Sequence, residues 1–487
     1  MLLLLSMAWA APADSPQELM VEKTLLDHNV GMLWGRSHEQ DQHTAEVLKE
    51  LGEEALPTSH RIRMEAYWGQ RWSGLESQAW NDFRWGIREW SRIALGELEP
   101  VNVLGDDEGF LALRGGAEFW VRSRLLFAHV RPELRLDFGC VDDPVCGEAP
   151  LKEAVVGLQV GGASLRFGME DRESGPGARG NLVLGRDAVP WPALTASYHQ
   201  VESRLGEWAA EWGMGWLPGL REDVQNPGYL HMDFRWSPVS MLELGFTRAS
   251  MFAGESRAWP NWMDLLLPLN PHASGDPEKV LSDTNELAAV DARLNLPLGA
   301  WGLGPVRRLT LWYQYGGEDM IMRPFGPIDV PALAAPANLY GAALSVGDWL
   351  WSIERAQLMD DTFRWYTGHR VYHQGFVHQG HSMGHPHGGD ADSIWMSLAW
   401  HGVPMGGEIF AEHLRRTGVV DSIPEGVFTL LSDEVRIRAG GRVWFLPISG
   451  GHLGLGYEAV HVEGEDFVPD AGGWAHRAWL EISRSGL

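Results

Sequence analysis

Lysine is nearly absent from this sequence: Lys23, Lys49, Lys152 and Lys279 are the only four in 487 residues, so 35 arginines carry almost all of the positive charge. Bases are also too few to balance acids. Lys+Arg number 39 against 65 Asp+Glu, a formal net charge of −26, which argues against nucleic acid as a partner. Cysteine is reduced to Cys140 and Cys146. With no second cysteine pair and a spacing wider than a zinc knuckle, they read as one disulfide across the turn-prone Val-Asp-Asp-Pro-Val spacer, formed in an oxidising compartment; two unrelated thiols are the other reading. No run of about 20 apolar residues is present to make a membrane-crossing helix. The nearest uncharged stretch, 330–347, carries Pro331, Pro336, Asn338 and Gly341. There is no phosphate-binding loop, internal repeat or low-complexity linker.

Tryptophan and glycine are plentiful, 25 and 58 residues. Tryptophan collects where one end of a ring is apolar and the other wet, as in the aromatic girdles of membrane barrels, and glycine supplies tight turns. The arginine excess fits the same picture and also reads as codon bias. The start, Met1-Leu-Leu-Leu-Leu-Ser-Met-Ala8-Trp9-Ala10, joins an apolar run to a small-x-small cleavage pattern and implies export, with residues 1–10 as a signal peptide.

Alternation with a period of two recurs along the chain. Val290, Ala292, Leu294, Leu296 and Leu298 interleave with Asp291, Arg293 and Asn295, and Leu230, Met232, Phe234 and Trp236 with His231, Asp233 and Arg235. Trp208 to Trp216, Leu134 to Phe138, Leu165 to Met169 and Val435 to Ile437 behave alike. Each such strand has a wet face, and mixed charges on that face suit an aqueous lumen. Eight Gly-Gly pairs, starting at Gly115, Gly161, Gly316, Gly388, Gly406, Gly440, Gly450 and Gly472, read as hairpin turns between strands. Runs ending near Ala439, Leu446 and Val462, then one from Trp474, read as an up-and-down meander. Residues 11–105 read instead as a helical, periplasmic or plug region. Ser15-Pro16-Gln17-Glu18 has the form of a helix start, 44–56 is a second candidate, and 78–98 places Trp80, Phe83, Ile87, Trp90 and Ala94 at helical spacing. The barrel is expected over 106–487.

The densest chemistry lies between Trp365 and Ser393, which holds six of the 19 histidines. Imidazoles with Asp390 and Asp392 are metal-ligand types. Their spacing matches no helical or knuckle metal motif, and the glycine density predicts a structured polar loop, so neither metal nor cofactor is expected. Carboxylates such as Glu354, Asp390 and Glu412 raise a glycosidase reading, but acids are too common here for their presence to discriminate.

Tyr366, His369, Tyr372, Gly375-Phe376, Gln379-Gly380, Gly384-His385, Gly389-Asp390 and Ser393 resemble the central signature of the Wzi capsule-assembly family. An earlier block, Phe167-Gly168, Gly175-Pro176-Gly177, Asn181 to Leu184 and Ala188-Val189-Pro190-Trp191-Pro192, is similar to that family's Gly-Pro-Gly turn and proline-spaced pair. The resemblance implies an all-β membrane barrel of about 18 antiparallel strands in the outer membrane of a Gram-negative bacterium; the sequence's own runs give 16 to 19. It also implies a non-catalytic lectin, monomeric, with outer-membrane lipid and capsular polysaccharide as its partners. On that reading Trp365, Tyr366, His369, Tyr372, Gln379, His385, Asp390, Asp392, Arg436 and Arg438 are candidates for polysaccharide contact. Gly175, Pro176, Gly177, Asn181, Pro190, Gly375, Phe376, Gly380, Gly384, Gly389 and Ser393 are candidates for shaping the motif. A porin-like passive channel, with the histidine-rich loop as its constriction, is the alternative. An exported enzyme, metal-dependent or glycan-active, ranks behind it.

Overall fold

The computed structural model describes residues 84–97, 111–122, 125–138, 145–148, 151–185, 189–200, 205–219, 221–260, 284–302, 304–325, 328–360, 363–366, 369, 371–400, 405–422, 427–445, 451–464, 467 and 472–485. They are almost entirely strand. The first six long strands are β1 (Arg84–Glu97), β2 (Leu111–Arg122), β3 (Leu126–Phe138), β4 (Leu151–Val160), β5 (Ala163–Met169) and β6 (Pro192–Gln200). Next come β7 (Glu207–Trp216), β8 (Gly228–Val239), β9 (Leu242–Phe252), β10 (Asn285–Leu296), β11 (Val306–Phe325) and β12 (Ile328–Val346). The last six are β13 (Trp349–Gln357), β14 (Ala391–Trp400), β15 (Met405–Ser422), β16 (Val427–Phe445), β17 (Gly451–Glu463) and β18 (Gly472–Ser485). Each of these eighteen pairs antiparallel with the one before and the one after it, and β1 also pairs with β18, from Arg88↔Ser485 to Glu97↔His476. The order of neighbours returns to its start. A short strand, Val145–Glu148, adds beside β3.

Burial gives the sense of the alternation. On β5 the apolar Leu165 and Phe167 are 44% and 50% exposed, while Arg166 between them is 1% exposed. On β8 Phe234 and Trp236 face out and His231 and Arg235 are buried; on β10 Val290 faces out and Asp291 and Arg293 are buried. A water-soluble sandwich would hide the first set and show the second. This sheet does the opposite, showing its apolar side chains and packing its charged ones away. The inward charges are paired. Arg166 reaches Glu170 at 3.2 Å and Glu211 at 2.6 Å, Arg235 reaches Asp291 at 2.6 Å, and Arg442 reaches Glu408 at 2.8 Å. Pairing is what allows so many guanidiniums to be packed away from water, because a single unpartnered one costs several kcal/mol, about 3–5 by the usual experience with broken buried pairs.

Two sequence expectations are corrected. The third candidate helix, 78–98, is strand from Arg84 to Glu97. Its residues also alternate, and two waiting strand edges decide the outcome: Ile93 lies opposite Leu113 on β2 and Leu480 on β18. Tertiary pairing overrides the local helical spacing, and the sheet begins before residue 106. Among the described residues the only helix is a single 3-10 turn, Leu298–Trp301. Second, the Gly-Gly pairs mostly lie inside strands. Gly161-Gly162 does turn between β4 and β5, but β16 runs unbroken through Gly440-Gly441, so the expected meander has one long strand there. Side chains explain it: a Cβ on Gly440 would lie 2.6 Å from the Phe410 ring, and one on Gly316 would press Leu182 and Trp365 at 3.0 and 3.2 Å. These glycines admit neighbours rather than turn the chain. The expected signal peptide, the segments 15–26 and 44–56, and Cys140 lie outside the described residues. Cys146 stands opposite Asp137 in the short strand beside β3.

Candidate functional site

Two long connections, 170–191 between β5 and β6 and 358–390 between β13 and β14, turn inward and pack on each other. These are the two sequence blocks singled out by their motifs. In the first, the Gly-Pro-Gly turn is shaped by Asn181, whose Oδ1 accepts the Gly177 N–H at 2.8 Å. Gly175 sits at φ +136°, and a Cβ there would fall 2.6 Å from Gln314 Nε2. The turn exposes two backbone N–H groups, and Glu354 on β13 takes both, from Ala178 at 2.6 Å and Arg179 at 2.9 Å, with the Trp312 indole N–H at 2.9 Å. Gln314 on β11 accepts the Leu182 N–H at 2.8 Å. A carboxylate between three donors is a strong anchor in a dry place.

The second connection holds itself through Phe376 N–H to Tyr366 C=O at 3.1 Å and Met383 N–H to Phe376 C=O at 2.9 Å. It joins the first through Gly185 N–H to Met383 C=O at 2.8 Å. Tyr366 clamps both: its hydroxyl donates to Leu182 C=O at 2.6 Å and accepts the His385 N–H at 2.8 Å. Gly384 is glycine because a Cβ would meet that hydroxyl. A third connection, 217–227, adds Arg221, which donates to the carbonyls of Val377 at 2.6 Å and Gly375 at 3.1 Å, and Asp223, which accepts the Gln374 N–H at 2.9 Å. Leu182, Trp191, Trp365, Tyr372, Phe376 and Met383 pack with wall residues such as Trp312 and Leu339 into one apolar core. The core therefore lies between these connections and the strands they pack on.

This placement sorts the sequence-derived residues. Trp365, Tyr366, Tyr372 and His385 are buried, so none has a free ring face. His369 caps its own loop, its Nδ1 accepting the N–H groups of Val371 and Tyr372, both at 3.2 Å. Gln379 is exposed at the plug tip with φ +48°. Asp390, at φ +58°, accepts the Thr417 N–H on its carbonyl at 3.0 Å. Asp392 on β14 holds Arg355 by two bonds, 3.0 and 2.8 Å. Arg436 donates to Glu434 at 2.8 Å and Arg438 to Glu458 at 2.9 and 2.5 Å. Pro190, Phe376 and Ser393 are buried, and Gly375, Gly380 and Gly389 lie in the same assembly. Pro176 lies in the turn that Asn181 shapes. Of the carboxylates considered as an acid–base pair, Glu354 is saturated as described, and Glu412 sits 2.9 Å from His387 Nε2 with Arg438 at 3.6 Å and Arg179 at 3.9 Å. Among the described residues no three of His, Cys, Asp and Glu converge as a metal site.

Burial holds the His385 imidazole well below its ordinary range, with His387 adding to the effect. Burial likewise pushes His378 down to about 4, helped by Arg221 and His381. Both rings are neutral at physiological pH. Sequence reasoning missed Gln314, Arg221 and Asp223, which lie on a strand or in a loop without a pattern of their own. It also passed over Gly380-His381-Ser382-Met383-Gly384, which has the spacing of a nucleophile elbow. The structure puts Ser382 on a two-residue hairpin strand, His381–Ser382, with its Oγ accepting the Gly384 N–H at 3.4 Å. The strand-to-helix turn that such an elbow needs is not there.

A profile of the family described as capsule assembly protein Wzi matches residues 57–404. The Escherichia coli outer-membrane protein Wzi, described as a carbohydrate-binding β-barrel involved in group 1 capsule assembly, has a similar structure: TM-score 0.69 and 16% identity over 98% of this chain and 99% of that one. Pseudomonas aeruginosa OprD gives a TM-score of 0.49 at 10% identity, over 86% of this chain and 98% of that one. Acinetobacter baumannii OccAB4 gives 0.47 at 8% identity, over 83% and 98%. No curated protein matches the chain.

Proposed function

Because this chain belongs to the Wzi capsule assembly family, we propose that it is an outer-membrane lectin that binds capsular polysaccharide and anchors it at the cell surface. The eighteen strands form a closed barrel whose apolar outer face meets lipid. One observation carries the reading: the two family blocks fold together as a plug bonded to the wall, so the interior is committed to a fixed surface rather than to an open path. Turns such as 161–162, 240–241 and 347–348 lie at the end of the circuit where β1 begins and β18 ends, while 170–191, 217–227, 253–284 and 358–390 all leave from the opposite end. Short turns face the periplasm and long connections the exterior in barrels of this kind. The plug is therefore entered from outside, where a polysaccharide would meet it.

A circuit with no free strand edge gives no reason for assembly through β-pairing, and the protein works as a monomer. It has no catalytic step, since the carboxylates near the plug are occupied by structural donors. Conduction by the same lumen would require the plug to leave. The experiment is direct binding of the purified, detergent-solubilised protein to polysaccharide extracted from the surface of the cells that make it, paired with bilayer conductance. Saturable binding with little steady conductance supports the lectin; large conductance with no binding overturns it.

A further inference from the structure

The outward face of β13 to β16 changes character abruptly towards the end from which the long connections leave. Followed from strand to strand by cross-strand partners, one row is Trp351, Leu398, Ile409 and Gly441, and the next is Ile353, Met396, Ala411 and Ala439. Neither carries a charge. The row after them is Arg355, Ile394, His413 and Ile437, and the last is Gln357, Asp392, Arg415 and Val435. An outward arginine in the middle of a bilayer costs about 2–4 kcal/mol and little near its surface. The edge of the hydrocarbon therefore falls in the step from Ile353 to Arg355, about 7 Å along the strand, and the two polar rows stand among the headgroups of the outer leaflet.

The charges there are arranged as outward-turned pairs. Arg355 gives Nε and Nη2 to the two oxygens of Asp392, at 3.0 and 2.8 Å, with Tyr340 also against it. Arg415 gives Nε and Nη2 to one oxygen of Asp433, at 2.8 and 2.6 Å, and the Thr417 hydroxyl donates to the other at 3.0 Å. Both oxygens of each aspartate are thus engaged, whereas a guanidinium has five N–H donors. The Arg355 side chain is 35% exposed and that of Arg415 52%. What this surface offers its surroundings is donors. Glu463, the other outward acid of these rows, lies on β17, two strands and about 10 Å from Arg415. Further along, Trp474 lies opposite His461 on the same face. The exposed rings of Trp474 and His476 are within 10° of parallel at 6.1 Å, and Tyr457 continues them at 20° and 6.2 Å. Amphipathic rings of this kind belong at a membrane surface.

We propose that these rows bind the headgroup of a phosphorylated glycolipid of the outer leaflet. Arg415 and Arg355 donate to phosphate oxygens, whose geometry a guanidinium fork matches, and the headgroup's sugar rings extend along the face towards Trp474. The site rests on the barrel's outer face meeting lipid and not on polysaccharide binding.

The test is titration of the full-length, detergent-solubilised protein with lipid A and with enzymatically dephosphorylated lipid A, bound lipid being counted by native mass spectrometry. The wild type should bind lipid A about three- to tenfold tighter than the dephosphorylated lipid, the size of a partly exposed charge-assisted bond. Arg415→Gln should weaken lipid A binding by a similar factor and leave the dephosphorylated lipid unchanged. Equal wild-type binding of the two lipids overturns the proposal. Phosphate-dependent binding that Arg415→Gln leaves at the wild-type level overturns the placement of the site. Should Arg415→Gln fail to fold, the wild-type comparison of the two lipids still decides. The lectin reading is tested by polysaccharide binding and stands or falls apart from these titrations.

Discussion

Replacing Tyr366 with phenylalanine removes one oxygen from the structure and two bonds from the plug. The Leu182 carbonyl and the His385 N–H lose their partner at 2.6 and 2.8 Å, in a place where Tyr366 itself is 1% exposed. Each buried group left unsatisfied costs about 1–3 kcal/mol, so the pair costs roughly 2–5 kcal/mol when partial relaxation is allowed. The strands keep all their ladder bonds, and the loss falls on the docking of one connection against the other. A 2 kcal/mol loss raises the population of the undocked plug about 30-fold, since 1.4 kcal/mol is about tenfold. Limited proteolysis reads that population when opening and closing are faster than cleavage. The expected result is cleavage within 358–390 at least an order of magnitude faster than in wild type, with the heat-resistant mobility of the folded barrel on gels unchanged. Wild-type cleavage would refute the clamp. Simultaneous loss of barrel and plug would refute their separability.

Other outcomes follow from the same structure. Glu354→Gln puts an amide N–H among three donors; it should loosen the first connection by about 2–4 kcal/mol, seen as faster hydrogen exchange at Ala178 and Arg179, and unchanged exchange there would contradict the anchor. Val156 is 52% exposed on β4, so Val156→Arg should cost up to about 2–4 kcal/mol in lipid; refolding yield into vesicles should fall, and an unaffected yield would put this face elsewhere than in lipid. The plug should weaken on acidification. His378 has its folded pKa pushed down to about 4 by burial, so between about pH 6.5 and 4 the undocked loop binds a proton that the docked loop does not, and stability falls with pH through that window. His385 acts in the same direction. Hydrogen-exchange protection of 376–385 should drop between pH 7.5 and 4.5, and equal protection at both would disprove the assignment.

Much of this was legible in the sequence, for physical reasons that differ by element. Val290 to Leu298 and Leu230 to Trp236 declared their strands because a period of two has one structural meaning. Which face was turned outward was not legible, since a sandwich alternates in the same way; burial of Arg166 beside exposed Leu165 and Phe167 decided it. Arg84–Glu97 was misread as helix because its pairing needs came from β2 and β18, the latter nearly four hundred residues away. The motif blocks were correctly singled out, yet Trp365, Tyr366 and Tyr372 hold the plug together with no exposed ring face. A residue type names a chemistry without saying whether it is turned to a ligand or to the chain itself. Glu354 and Gln314 lie on the wet faces of strands where nothing local marks them, and only the fold brings them beneath the Gly-Pro-Gly turn.

The central claim is that this protein holds capsular polysaccharide on the cell. Its most direct test is to delete the gene in its host and measure polysaccharide on cells and in the medium, with total production as the control. The account predicts an unchanged total, with polymer moving from cells to medium and returning on complementation. Cell-bound polymer that stays at the wild-type level after deletion would contradict it.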